Sequence, residues 1–258
     1  MGPGQLVRAH RRRRGWSQLA LAAAAGVSAR HLSFIETGRS RPGRAVLAAL
    51  GRALDLPARE VNGLLRAAGE RPPYPEHDPD DAAVRPLRDA LERMLAAHMP
   101  LPAVAMDHAW HPVSTNPAFD AMMRRLAART ATPPGDRGLM EWLFAPDGLR
   151  PLVANWGVVG PFLLDRVRRE SVVHGDLDRL VERLEAMLGR VEESPSDPDT
   201  DAVVLPLHLV VDGRDLRLFS VLAAFGSALD AGFQALRIEY FFPKDEATRT
   251  WLRVGAGG

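Results

Sequence analysis

The sequence predicts a two-domain protein: a basic all-α module of five short helices, then an α+β domain on a five-stranded antiparallel sheet. Three observations lead there. A length of 258 residues exceeds one small domain, at roughly 100–200 residues per domain. Residues 1–72 carry a formal charge of +9, from 13 arginines against four acids, leaving −8 of the chain's net +1 on the remainder. Opposite signs set a module suited to a polyanion apart from its neighbour. Finally, the proline- and acid-rich run "ERPPYPEHDPDD" at 70–81 separates glycine-terminated helical segments from a region with strand alternation, and cannot itself continue a helix. The expected boundaries are 1–70, a linker and connecting helix over 71–98, and 99–258.

The helices follow from caps and stripes. "QLVRAHRRRRG" has few apolar positions and ends at Gly15. "SQLALAAAAG" starts at a Ser17 N-cap and stops at Gly26, as helix punctuation requires. "SARHLSFIETG" is capped by Ser28 and terminated at Gly38, with Leu32 and Ile35 facing inward,. "GRAVLAALGRALD" aligns Val46, Leu47, Leu50 and Leu54,. "PAREVNGLLRAAG" starts with a first-turn proline, Pro57, and packs through Val61, Leu64 and Leu65,. Beyond the proline-rich run, "AAVRPLRDALERMLAAHM" resumes a helix with Leu87, Leu91, Met94 and Leu95 on one side.

From about residue 100 the period changes. "LPAVAMD" and "WHPVSTN" read as two short strands around a turn at Asp107–His108,. A helical middle follows, in "PAFDAMMRRLAAR" and from Leu139 to Leu188. Three strands close the chain. "AVVLPLHLVV" carries Val203, Leu205, Leu207, Leu209 and Val211 on one face, and "RDLRLFSVLAA" alternates Leu216, Leu218 and Leu222. Asp212–Gly213 between them is a strong hairpin signal,. "ALRIEYFF" places Leu236, Ile238, Tyr240 and Phe242 on one side. Two strands, a helical insert and three antiparallel strands make an α+β domain with helices on one face of its sheet.

Composition narrows the functional classes. With 46% hydrophobic and 25% charged residues the chain has the make-up of a globular protein. It has no cysteine, which excludes disulfides, thiolate metal sites and a cysteine nucleophile. The longest near-apolar run, "LALAAAAGV" at 19–27, is too short to span a bilayer, and no apolar signal core follows the basic start. The expectation is a cytoplasmic protein without a membrane partner.

Within the basic module the geometry of a helix-turn-helix is legible. Such a motif sets its second helix in the major groove and lays the first across the backbone. It needs a tight turn, a second helix opening on small or polar residues, and an apolar seam. Gly26 supplies the turn, while Ala20, Val27 and Ile35 suit the seam. Ser28, Ala29, Arg30, His31 and Ser33 offer an outward face. Arg30 is the best candidate to read guanine, because its planar fork matches two acceptors on one base edge. Gln18 can donate to a phosphate or support a side chain of the second helix. Arg39, Arg41 and Arg44 follow that helix and suit phosphate contacts, which position without specifying. Arg11–Arg14 serves equally as a solvated face or as a phosphate clamp. A basic five-helix module is also open to RNA or an acidic protein.

The run from Leu6 to Pro57 closely resembles the helix-turn-helix of XRE-family (Cro/repressor-like) transcription regulators, through "SQ-x-x-LA-x-x-AGVS", "FIETGRSRP" and "LGRALDLP". The resemblance implies double-stranded DNA as partner and sets Gln18, Ser28, Ala29, Arg30 and Ser33 on DNA-facing positions, with His31 nearby; it implies a structural role for Glu36. The remainder resembles the MmyB-like ligand-binding family through "AGERPPYP", "PAVAMDHAWHPVSTNPAF", "WLFAPDGLRPLVANW" and "IEYFFP". That resemblance implies a PAS-like fold and a pocket associated with a fatty acid; no other cofactor is required.

An apolar ligand is compatible with the residues themselves. Asn116, Trp142, Leu143, Phe144, Leu149, Val153, Trp156 and Phe162, with Leu163, are the candidate ligand contacts. Small ligands need apolar pockets with a few oriented polar groups, and Asn116, Asn155 or Arg150 could meet a carboxylate. The same Trp, Leu and Phe stripe also serves as plain core.

Other constellations fail. His108 and His111 are three apart in a turn-and-strand context, where such residues point to opposite faces. Asp197, Asp199 and Asp201 imitate a calcium loop, but Ala202 and His208 stand where glycine and glutamate are needed,. There is no G-x-S-x-G, phosphate-binding glycine loop or H-E-x-x-H,, so nothing argues for an enzyme. The expectation is a homodimeric transcription regulator with an apolar-ligand sensor. The alternative is a DNA-binding scaffold whose second domain binds a protein partner, which an exposed apolar patch would favour.

Overall fold

The computed structural model describes residues 2–77, 81–135, 138–172, 174–189, 204–224 and 230–254. They form two compact units. The first comprises Met1–Asp78 with Arg169–Asp176 and Gly226–Gln234; the second comprises Pro79–Arg168, Leu177–Phe225 and Ala235–Gly258.

The first unit opens with five helices: α1 (Pro3–Arg13), α2 (Gln18–Ala25), α3 (Ala29–Glu36), α4 (Arg44–Ala53) and α5 (Ala58–Ala67). Their limits follow local chemistry. The Ser17 hydroxyl accepts from the Ala20 N–H and the Ser28 hydroxyl from the His31 N–H, each satisfying a donor that a first helical turn leaves without a partner. Gly26 ends α2 with φ +67°, a left-handed geometry that glycine adopts without penalty. The core gathers Val7, Leu21, Leu32, Leu47, Leu50 and Leu54, all fully buried. The α2 seam differs from expectation. Ala20 is exposed, and Leu21 and Ala22 are buried instead. At about 100° per residue, the phase set by the Ser17 cap turns Ala20 outward. α1 crosses α3 at Gly4, where an added Cβ would lie 1.9 Å from the Ile35 carbonyl oxygen.

The proline-rich run is not free of the helices. Asn62, fully buried on α5, donates to the Tyr74 carbonyl (2.8 Å) and to Glu76 (2.9 Å), and accepts from the Tyr74 N–H (3.2 Å). Residues 74–76 are thereby fastened to α5.

The second unit starts with α6 (Arg85–Ala97), then β1 (Ala103–Met106), β2 (Pro112–Thr115), α7 (Pro117–Ala127) and α8 (Leu139–Phe144). There follow α9 (Trp156–Ser171), whose last residues belong to the first unit, and α10 (Asp178–Leu188). β3 (Pro206–Val211) and β4 (Arg214–Ala224) precede α11 (Ala231–Gln234), itself part of the first unit. β5 (Arg237–Pro243) and α12 (Glu246–Val254) complete the chain. The sheet is antiparallel throughout, in the order β2-β1-β5-β4-β3. Asp212 and Gly213 have φ of 52° and 72°, the positive pair that a tight right-twisted hairpin demands.

Three sequence expectations change here. Met94 is exposed, and α6 packs through Leu91 and Leu95. α12 was not foreseen; its Trp251 and Leu252 are buried in the core. On β5 the alternation does not separate inside from outside. Ile238 is buried on one face and Phe241 on the other, because both faces of this strand are covered: His98, just past α6, packs edge-on against Tyr240 and Phe242. Val203 and the acidic trio Asp197, Asp199 and Asp201 lie outside the described residues. No helix among the described residues is long and apolar enough to cross a membrane.

Candidate functional site

The first unit presents α3 by its polar side. Leu32, Ile35 and Glu36 are buried, which leaves Ser28 and Arg30 exposed and Ala29, His31 and Ser33 half-exposed. The Arg30 guanidinium lies 5.4 Å from the Phe34 ring centroid, one turn on, so its side chain is braced along the helix by a cation–π contact.

Behind α3 sits a buried ion pair. Arg11 Nε and Nη2 donate to the two Glu36 oxygens at 2.6 and 2.8 Å, and Nη1 donates to the Trp16 carbonyl at 2.7 Å. Gln18 adds a third donor to Glu36 at 2.9 Å. Burial disfavours the Glu36 charge, but the hydrogen bonds from Arg11 and Gln18 and the nearby Arg11 and Arg8 charges outweigh it and hold the carboxyl below its usual range. The hydrogen bond to Glu36 likewise raises Arg11 despite its burial. The network ties α1 and the start of α2 to the end of α3. Gln18 thus turns its amide to a side chain of α3. Arg11 is neither solvated nor free for phosphate; Arg14 reaches the Asp55 carbonyl at 3.1 Å. Arg39 is exposed. Arg41 donates to Ala68 O (2.8 Å) and Arg44 to Arg71 O (2.7 Å), so both also brace the end of α5.

A second polar cluster in the same unit was invisible to sequence reasoning. Glu60 on α5 lies 3.4 Å from His10 Nε2 and 3.6 Å from His174 Nδ1. Burial opposes its charge, yet the close approach of His10 and His174 prevails and lowers it from 4.5 to about 2. Because the folded value is depressed, the stabilisation is present above about pH 4.5 and lost as pH falls towards 2. Glu60→Gln is expected to lose on the order of 1–2 kcal/mol at pH 7, after allowance for its partial exposure. The variant's urea-unfolding free energy should also fall less than wild type between pH 5 and 2. An unchanged acid limb would count against this pairing.

The second unit contains a cavity of about 270 Å³ between the sheet and α7, α8 and α9. Phe119, Met122, Leu143, Leu149, Val159 and Phe162 supply apolar wall on the helical side, and Leu207, Leu209, Leu218, Leu222 and Phe241 on the sheet. Its few polar lining groups are Arg166 on α9, Ser220 on β4 and Glu239 on β5. Burial raises the Glu239 carboxyl, against the lowering pull of Ser220, Arg166 and Arg237. Trp110 also lines the wall, held at φ 66°. The guanidinium carbons of Arg166 and Arg237 lie 4.8 and 4.6 Å from its ring centroid. Its indole N–H is buried without a hydrogen-bond partner among the described residues, a costly state that an acceptor in the cavity would relieve.

The sequence-selected contacts divide. Leu143, Leu149 and Phe162, with Leu163, line the cavity. Trp142, Phe144 and Val153 are buried in the surrounding core, and Trp156 packs edge-on against Phe144. The proposed carboxylate partners are all elsewhere, and each is engaged by backbone groups instead. Asn116 accepts from Ala103 N and Phe119 N and donates to Leu95 O and Leu101 O. Asn155 joins Pro206 O and His208 N, and Arg150 donates to Met187 O. Trp110, Arg166, Ser220 and Glu239 were missed. The signal was present for Glu239, an acid inside the apolar run "IEYFF". His108 is buried, and His111 lies 3.5 Å from Asp107. Among the described residues no group is arranged to hold a metal ion.

Comparison with protein families gives two matches that divide the chain. Residues 4–64 match a helix-turn-helix domain, and residues 87–254 match the ligand-binding domain of MmyB-like transcription regulators. No curated protein matches the chain.

Proposed function

The chain belongs to the MmyB-like transcription regulators, with a helix-turn-helix domain for DNA and a separate ligand-binding domain, and from that premise we propose that an apolar acid in the second unit's cavity sets its grip on an operator. The ligand is read as a fatty acid. Its chain would lie along the Phe, Leu and Met wall, and its carboxylate would take the Trp110 N–H and the field of Arg166. The observation that carries this reading is the cavity itself: an apolar volume whose polar groups are concentrated in Arg166, Ser220 and Glu239. Its setting between helices and sheet favours a small molecule over the alternative of a protein partner, which would need an open apolar patch. No catalytic step is assigned to it.

On the DNA side, Ser28, Ala29, Arg30, His31 and Ser33 would face base edges, and Arg39, with the outer donors of Arg41 and Arg44, the phosphates. Regulators of this type act as dimers on half-sites about one DNA turn apart, and a homodimer is the proposed working form. The ligand moves this equilibrium only by its differential affinity for the DNA-competent and DNA-incompetent arrangements.

Native mass spectrometry of the full chain, then denaturation to release bound molecules, tests ligand class and oligomeric state together. A second measurement addresses the head group. A ligand carboxylate entering beside Glu239 requires that residue to be neutral, and burial already raises its carboxyl. Affinity for tetradecanoate is therefore expected to weaken as pH rises from 6 to 9, with proton uptake on binding. Glu239→Gln should remove that dependence and bind about tenfold more tightly at pH 9, the worth of one lost like-charge contact of about 1.4 kcal/mol. Titration calorimetry showing pH-independent affinity in wild type would end this head-group assignment.

A further inference from the structure

The first unit includes two short pieces of chain from outside its five helices, and each is continuous in sequence with an element that lines the cavity. One is Arg169–Asp176, the end of α9 and the residues beyond it. Arg166, which lines the cavity, precedes His174 by eight residues, and the helix between Arg166 and Ser171 spans about 7.5 Å at 1.5 Å per residue. The other is Gly226–Gln234, which holds α11. Glu239, also lining the cavity, follows Asp230 by nine residues.

Both pieces are attached at polar points that converge on α5. His174 approaches Glu60 of α5, and Arg13 of α1 donates to the Gly175 carbonyl at 3.5 Å. Asp230, buried, accepts from His77 N at 3.0 Å and contacts His77 Nδ1 at 2.9 Å. It also caps α11, through Gly232 N and Phe233 N. Ala231 N donates to the Pro75 carbonyl at 2.9 Å, and α11 packs on α5. The receiving run 74–77 is the one that Asn62 of α5 fastens. From α5 the polar contacts continue: Glu60 to His10 of α1, then the adjacent Arg11 to Glu36 at the end of α3.

We propose that the end of α9 and the α11 segment are the two couplers that carry the state of the cavity to α5, and through His10 and Arg11 to the DNA-facing helix α3. This rests on the cavity being the sensory site, as argued above. The coupling role thereby falls to these two segments and not to the connecting helix α6. Packed elements with discrete contacts pass such shifts on only if both ends bias the same arrangement, so the claim is one of measurable coupling.

Hydrogen exchange on the full chain tests it without knowing the ligand or the operator. Met123→Trp fills the cavity from α7, so the substituted residue itself lies on neither coupler nor on the elements that lead to them. Exchange in peptides 3–13 and 58–67 is expected to change at least about threefold in that variant, and the change is expected to vanish when His174→Gln and Asp230→Asn are added. Leu207→Trp is the replacement filler if Met123→Trp does not fold. A response confined to peptide 85–97, or one that survives both coupler substitutions, overturns the proposal. Wild-type protein with tetradecanoate is the parallel arm. If the filler propagates and tetradecanoate does not, the coupling stands and the fatty-acid reading alone falls.

Discussion

Glu36→Ala is expected to destabilise the five-helix unit by about 3–5 kcal/mol, the cost of leaving a buried charge without its partner. The side chains of Arg11 and Glu36 are 10% and 1% exposed, so water cannot replace the lost carboxylate. Against a typical total of roughly 5–15 kcal/mol, that loss leaves α1 and α3 poorly held. The measurement is urea unfolding of the full chain, read by exchange of α1 and α3 amides. Replacing both partners, Arg11→Met with Glu36→Leu, should recover much of the loss, because a well-packed apolar pair often equals a buried ion pair. A single-substitution cost below about 1 kcal/mol would mean that the pair is more hydrated than its burial indicates.

Arg30→Ala is expected to weaken operator binding by about 1–3 kcal/mol and to relax the preference at one base pair. Arg39→Ala makes the contrast. It should weaken binding to all duplexes alike and reduce the salt slope by about one. Arg39 is the better choice than Arg41 or Arg44, which also donate to Ala68 and Arg71 carbonyls and would confound a binding defect with a loosened α5. The assay is affinity for a selected operator and for a scrambled duplex at two salt concentrations. Should Arg30→Ala weaken both equally, its role is on the backbone and the reading of α3 must shift along the helix.

Much of the fold was legible because its signals are local. Ser17 and Ser28 cap the helices they were expected to cap, and Asp212–Gly213 turns the hairpin. The five strands were visible from alternation and turn chemistry. The errors also have local causes. Ala20 was set inward because one residue of helical phase is easily misread among alanines. α12 was overlooked because a nine-residue amphipathic segment at the chain end carries few apolar residues. The cavity wall was half legible: Leu143, Leu149 and Phe162 line it, while equally apolar Trp142 and Phe144 fill the core beside it. Hydrophobicity reports burial, not which buried surface is left without a neighbour.

What the sequence determined by itself is the division into a basic helical module and an α+β domain, the caps and turns, and the outward side of α3. Each depends on residues a few positions apart, where backbone hydrogen bonding and side-chain period act directly. Only the tertiary structure decided which polar groups are free and which are spent. It placed Asn116, Asn155 and Arg150 on backbone partners, turned Glu239 into the cavity, and brought His174 and Asp230 to residues more than 100 positions away. A polar side chain's role depends on what its hydrogen-bonding atoms meet, and those partners come from distant parts of the chain.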